Sequence, residues 1–123
     1  MSAVVQSVAG PVSVPVVEVY LTDRLDLTCL APVQAALEMA VRLRPDRLVV
    51  DMAGCVGLDA AGVALLLDVH RQLLRVGAHL TLRAPSPRLR RIMRIARVEQ
   101  VLHVVPEEVP LSGRTAEPIR SAQ

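Results

Sequence analysis

The chain is 123 residues long, 52% hydrophobic, with 14 basic and 12 acidic side chains for a formal charge of +2. That size bounds it to one domain around one core, and the near-neutral balance offers no global field for nucleic acid. Tyr20 is the single aromatic residue and every basic side chain is arginine, which excludes stacking platforms for single-stranded nucleic acid, Schiff-base catalysis and the lysine of a phosphate-binding loop.

The N-terminal stretch MSAVVQSVAG carries no basic leader, so no export signal is expected and no strand is assigned there. Val16–Leu21 is rich in β-branched residues and follows Pro15, and reads as a strand near a sheet edge. Asp23–Thr28 breaks the pattern with short polar residues. Val33, Ala36, Leu37, Ala40 and Val41 then recur at helical spacing through Leu43.

Arg44, Pro45 and Asp46 punctuate, and Arg47–Met52 reads as a short buried strand of the parallel kind. A loop containing Gly54 and Gly57 leads to Asp59, the expected N-cap of a helix over Ala60–Val76. Val63, Leu66, Leu67, His70, Leu73 and Leu74 are its expected core face, with Asp68, Arg71, Gln72 and Arg75 opposite. Gly77 fits the position just past that helix, and Ala78–Arg83 alternates as a strand. Ser86 and Pro87 open a third helix with Leu89, Ile92, Met93 and Ala96 inward, and Val101–Val105 supplies a last strand. From Pro106 onward prolines and a glycine are scattered among polar residues, which predicts a flexible tail over 106–123 after a domain spanning 1–105.

Strand and helix alternate, so the expected fold class is α/β: an open sheet of four to five mixed, mostly parallel strands with helices packed on it. Cys29 and Cys55 lack metal-ligand or CxxC spacing and read as reduced, packed thiols in a cytoplasmic protein, although Cys55 could instead be a redox-sensing thiol. His70, His79 and His103 lack ligand spacing as well, so no metal or cofactor is expected. No apolar run reaches the roughly 18–20 residues of a membrane span. Asp51 ends a strand and is expected to order the next loop rather than to catalyse. Gly62 either admits a partner's backbone or is merely tolerated in a first helical turn. Arg88, Arg90, Arg91, Arg94 and Arg97 crowd the third helix and its end, either as a solvated face or as an attraction for an acidic protein or anionic lipid.

LDLTCLAPVQAAL (25–37), VVDMAGCVGLDAAG (49–62) and LLRVGAHLTLRAPSPRLRRIMRIARVEQVL (73–102) together resemble the STAS domain, the fold of bacterial anti-sigma-factor antagonists. The resemblance implies a non-enzymatic, protein-binding module whose partner is an anti-sigma factor or a kinase-like regulatory protein, with a homodimer also possible. It further implies a docking surface made of Asp23, Asp26 and Thr28 together with Leu58, Asp59, Ala60, Ala61, Gly62 and Val63. The family's loop usually carries a phosphorylatable serine or threonine directly after this aspartate, and Ala60 stands there instead. A phosphate of charge near −2 cannot form at that position, so the resemblance implies a constitutive binder. An accessory or scaffold role in a transporter or signalling complex is the competing expectation. Relatives often carry glycine where Arg97 stands, and a left-handed arginine is strained, so the third helix is expected to end differently.

Overall fold

The computed structural model describes residues 3–9 and 15–106. Five strands, β1 (Ala3–Ala9), β2 (Pro15–Leu21), β3 (Arg47–Asp51), β4 (His79–Arg83) and β5 (His103–Val105), form one sheet in the order β1-β2-β3-β4-β5. The first pair is antiparallel and the other three are parallel. Helices α1 (Leu30–Arg42), α2 (Ala60–Arg75) and α3 (Pro87–Ile95) make the three crossovers between parallel strands, and a 3-10 turn over Leu27–Cys29 precedes α1.

Each crossover advances the sheet by one strand in the same direction. Crossovers of the usual right-handed sense then put all three helices on one face. Side-chain alternation agrees: Val17, Val19 and Leu21, Leu48 and Val50, and Leu80 and Leu82 point into one cluster with Val33 and Leu37 of α1, Leu66, Val69 and Leu73 of α2, and Leu89 and Met93 of α3. The core is almost wholly aliphatic, as the composition requires.

The opposite face of the sheet carries a buried polar network. Tyr20, Asp51 and Arg83 lie in register across β2, β3 and β4, with Glu18 one pleat step away on β2. Arg83 is only 5% exposed. Its Nε donates to Asp51 Oδ2 at 2.8 Å, one terminal nitrogen reaches Glu18 Oε2 at 3.3 Å, and the other donates to the Tyr20 hydroxyl at 3.2 Å. That hydroxyl donates in turn to Glu18 Oε1 at 2.6 Å. Burial acts to lower the Arg83 pKa, but the hydrogen bonds to Asp51 and Tyr20 and the charges of Glu18 and Asp51 outweigh it, so the guanidinium is held above its ordinary value. The Tyr20 phenol is pushed up, first by its hydrogen bond to Glu18 and then by burial.

Several expectations need correcting. The unassigned N-terminal stretch forms β1, which takes the edge and leaves Val16–Leu21 one strand inside it. Ala3–Ala9 has little periodic contrast, and its pairing across 10–14 is a tertiary fact. On α2 the buried side chains include Leu65 and Val69 while Leu74 is exposed, so the core face is turned from the expected one toward the sheet. On α3 Leu89 and Met93 are buried, but Ala96 is exposed.

Arg97 does adopt the left-handed conformation, at φ 62°. The amide of Arg97 donates to the Arg94 carbonyl at 3.0 Å and that of Val98 to the Met93 carbonyl at 3.0 Å, closing the same end that Gly77 (φ 78°) makes after α2. Burial of Val98 against the core that holds Met93, with two hydrogen bonds, outweighs a strain of about 1–2 kcal/mol for a non-glycine residue. Residues 107–123 of the expected tail lie outside the described residues.

Removing one member of a buried ion network leaves the others uncompensated. Arg83→Met is therefore expected to lower the unfolding free energy in urea by about 3 kcal/mol, and the triple variant Arg83→Met/Glu18→Gln/Asp51→Asn to recover part of that loss. A loss within measurement error for the single variant would refute the role given to the network.

Candidate functional site

The carboxyl ends of β2 and β3 release two loops, which is where open α/β sheets place their functional residues. The loop after β2 folds because Asp26 caps it. Its Oδ1 accepts from the Thr28 hydroxyl at 2.7 Å and from the amides of Thr28 at 3.1 Å and Cys29 at 3.2 Å, while Oδ2 sits 3.4 Å from Arg24 Nε. The Thr28 hydrogen bond is the first cause of an Asp26 pKa below the ordinary carboxylate value. Asp23 is exposed and accepts from the Arg24 amide at 2.8 Å.

The loop after β3 starts under control of the buried network, because Asp51 Oδ1 accepts from the Ala53 amide at 2.9 Å. Asp51 thus orders the loop, as expected, and also joins it to Arg83, which sequence did not indicate. Gly54 sits under the Leu21 carbonyl, where an added Cβ would fall 2.9 Å from that oxygen. Cys55 is buried and its thiol donates to the Gly57 carbonyl at 3.3 Å. Burial pushes its pKa up, so this thiol is inert packing rather than a poised nucleophile.

Backbone hydrogen bonds zip the two loops together. Val56 N donates to the Asp23 carbonyl at 3.3 Å, Leu25 N to the Gly57 carbonyl at 2.9 Å and Asp59 N to the Leu25 carbonyl at 3.4 Å, with Leu25 and Leu58 paired as a parallel bridge. Asp59 completes the junction: Oδ1 caps α2 through the Gly62 amide at 3.0 Å and Oδ2 accepts from the Leu27 amide at 3.1 Å. One carboxylate therefore satisfies orphan donors of two elements 32 residues apart in sequence.

Gly62 answers to neither reading made from sequence. A Cβ there would drive into the Leu25 carbonyl, far inside van der Waals contact, and would lie 2.9 Å from Leu25 Cγ and 2.9 Å from Leu58 Cδ1. Glycine is required by the chain's own packing. The expected surface accordingly divides. Asp23, Thr28 and Ala60 are exposed and Asp26, Asp59 and Ala61 half-buried, whereas Leu58, Gly62 and Val63 are buried supports. Two apolar side chains that sequence reasoning missed stand out at this end: Leu27 is 72% and Val56 62% exposed. Leu27 could have been noticed as the one large hydrophobe inside the polar DLT turn, but Val56 has no sequence signal that separates it from core valines.

Among the described residues no cluster of His, Cys, Asp or Glu could hold a metal ion, and no helix is long and apolar enough to cross a membrane.

The family model described as "Mlab, STAS domain" matches residues 12–106. Among solved structures, the fold is similar to a putative anti-sigma factor antagonist of Thermotoga maritima, with a TM-score of 0.70 at 8% identity over 82% of this chain and 85% of that one. An anti-sigma factor antagonist of Mycobacterium paratuberculosis gives a TM-score of 0.68 at 19% identity over 85% and 86%. The unphosphorylated form of the Bacillus anti-sigma factor antagonist SpoIIAA gives 0.61 at 20% identity over 86% and 90%. At these identities the likenesses show the fold. No curated protein matches the sequence.

Gly62→Ala trades a gain in helix propensity of about 1 kcal/mol for a clash with an immobile backbone oxygen. A net destabilisation of about 2 kcal/mol is expected in chemical denaturation, and a stabilised variant would refute the close-packing argument. At neutral pH Cys55 should be alkylated by iodoacetamide far more slowly than the half-buried Cys29; equal rates by peptide mass analysis would contradict the burial described.

Proposed function

The chain belongs to the STAS domain family, and on that premise we propose that it is a regulatory protein-binding module that docks through the joined loops at the carboxyl end of the sheet. A STAS domain of the anti-sigma-antagonist type is a regulatory binder rather than an enzyme. The partner in this reading is an anti-sigma factor or a related kinase-like regulatory protein, and the working compartment is the cytoplasm.

The observation that carries the reading is the makeup of the exposed part of this end. Leu27 and Val56 present apolar surface, Val56 bonded through its amide to the Asp23 carbonyl and Leu27 to the Asp59 carboxylate that precedes α2, an arrangement of apolar anchors among polar groups that suits a protein interface. Ala60 is exposed at the first position of α2 and has no oxygen that could accept a phosphoryl group. Relatives of this family use a hydroxyl there as the switch, because a phosphate adds charge and bulk to the docking face. Here the face stays small, and binding is constitutive. Leu58, Gly62 and Val63 act beneath it as supports, with Asp59 holding the two loops in one pose.

Ala60→Asp separates docking from folding. A carboxylate at a helix N-terminus complements the macrodipole, so the variant should keep the parent's thermal stability. Its affinity for the partner isolated with the native chain should fall by at least about tenfold, as expected for a charge placed within an interface. Calorimetry that finds unchanged affinity refutes this face as the docking site. Copurification with a membrane ATPase instead of a kinase-like ATPase domain would replace this reading with that of a transporter accessory subunit.

A further inference from the structure

The arginine-rich helix α3 belongs to the crossover after β4, outside the loops that follow β2 and β3. From Pro87 to Glu99 five arginines face one glutamate, a net charge of +4, whereas the whole chain sums to +2 and the remainder must therefore be net negative. Glu99 lies 3.8 Å from Arg90 Nε and 3.8 Å from Arg94 Nε, too far for hydrogen bonds. Arg88, Arg91 and Arg97 have no ion-pair partner among the described residues. Ile95 projects from the same helix at 74% exposure, and Val101 follows at 51%.

Arg94, in the last turn of α3, complements the helix end and with Arg90 flanks Glu99, but the rest of this charge has no such support from the fold. Arg88 occupies the first turn of α3, which holds no acidic residue, although the positive end of a helix disfavours cations. Arg88 and Arg91, Arg91 and Arg94, and Arg90 and Arg94 are like-charge neighbours three or four residues apart, which destabilises a helix. Arg97 holds a left-handed conformation that glycine would adopt without strain. The groove of about 720 Å³ lined by Arg42, Arg44 and Arg75 shares a left-handed arginine, Arg44 at φ 56°. Its other two arginines, Arg42 and Arg75, instead lie in the last turns of α1 and α2, where cations complement the helix ends.

We propose that this face of α3 is a second docking surface, independent of the joined loops, for a protein whose own surface presents clustered carboxylates around an apolar socket. Guanidinium groups pair with carboxylates through two parallel hydrogen bonds, and exposed Ile95, one helical turn after Arg91, supplies an aliphatic anchor beside them. A bilayer fits less well, because Leu89 and Met93, the apolar stripe of α3, are packed in the core and leave no amphipathic face to insert. With both surfaces engaged the domain is an adaptor between two proteins.

Isotope-labelled full-length chain, titrated with a synthetic helical peptide bearing Glu on one face and Leu at its centre, tests this by amide chemical shifts. Shifts confined to α3 and the segment to Val101 are expected, weakening with salt, with affinity reduced at least about tenfold by Arg91→Glu and clearly by Ile95→Ser. Arg88→Glu and Arg91→Glu should melt no lower than the parent, since they relieve repulsion. Shifts absent from α3, equal binding of a peptide with Gln in place of Glu, or binding only to phosphatidylglycerol vesicles would each overturn the proposal. A fall in Tm for both charge reversals would make the arginines structural and overturn it equally.

Discussion

The first turn of α2 rests on the carbonyl of Leu25, and much of the architecture depends on that contact. It exists because Gly62 has no Cβ and because Asp59 bonds both the Gly62 amide and the Leu27 amide. The loop after β2 and the loop after β3 thereby become one rigid unit, even though each is short and irregular. Leu25 itself is fully buried beneath it. A surface built this way keeps its shape without a partner, which lowers the ordering cost of association.

The polar network on the far face of the sheet reinforces the same unit from below. Asp51 shares its two oxygens between Arg83 and the Ala53 amide, so the position at which the loop leaves β3 is fixed by an ion pair spanning two strands. Such a network is a demanding choice in an otherwise aliphatic protein, since each charge must be matched to offset its desolvation. Arg83 meets that demand with three partners.

Electrostatically the molecule is divided. Asp23, Asp26 and Asp59 gather at the joined loops, and the arginines of α3 gather on another element. The overall charge of +2 hides both, which is why composition excluded nucleic-acid binding by default but carried no indication of two surfaces of different character.

Local pattern located β2 through β5 and the three helices, because β-branched runs, alternation and spacings of three to four have few other ways to be buried. However, β5 is His103–Val105, shorter than the expected Val101–Val105, since Val101 and Leu102 lie in the turn before it. The motif around Asp59 was legible as a helix cap, and the absence of a hydroxyl at Ala60 is a fact of sequence alone. Other features were decided only in three dimensions. Ala3–Ala9 became an edge strand through pairing with β2, and α2 settled with Leu65 and Val69 inward. Arg97 took a glycine's conformation because Val98 found burial in the core. Leu58, Gly62 and Val63 were placed beneath the surface rather than on it, and Leu27 and Val56 upon it. The physical reason is common to all of them. Local pattern reports which residues must leave water, but which of them lie at the boundary depends on the distance between two loops joined by contacts 32 residues apart, and no local pattern encodes that distance.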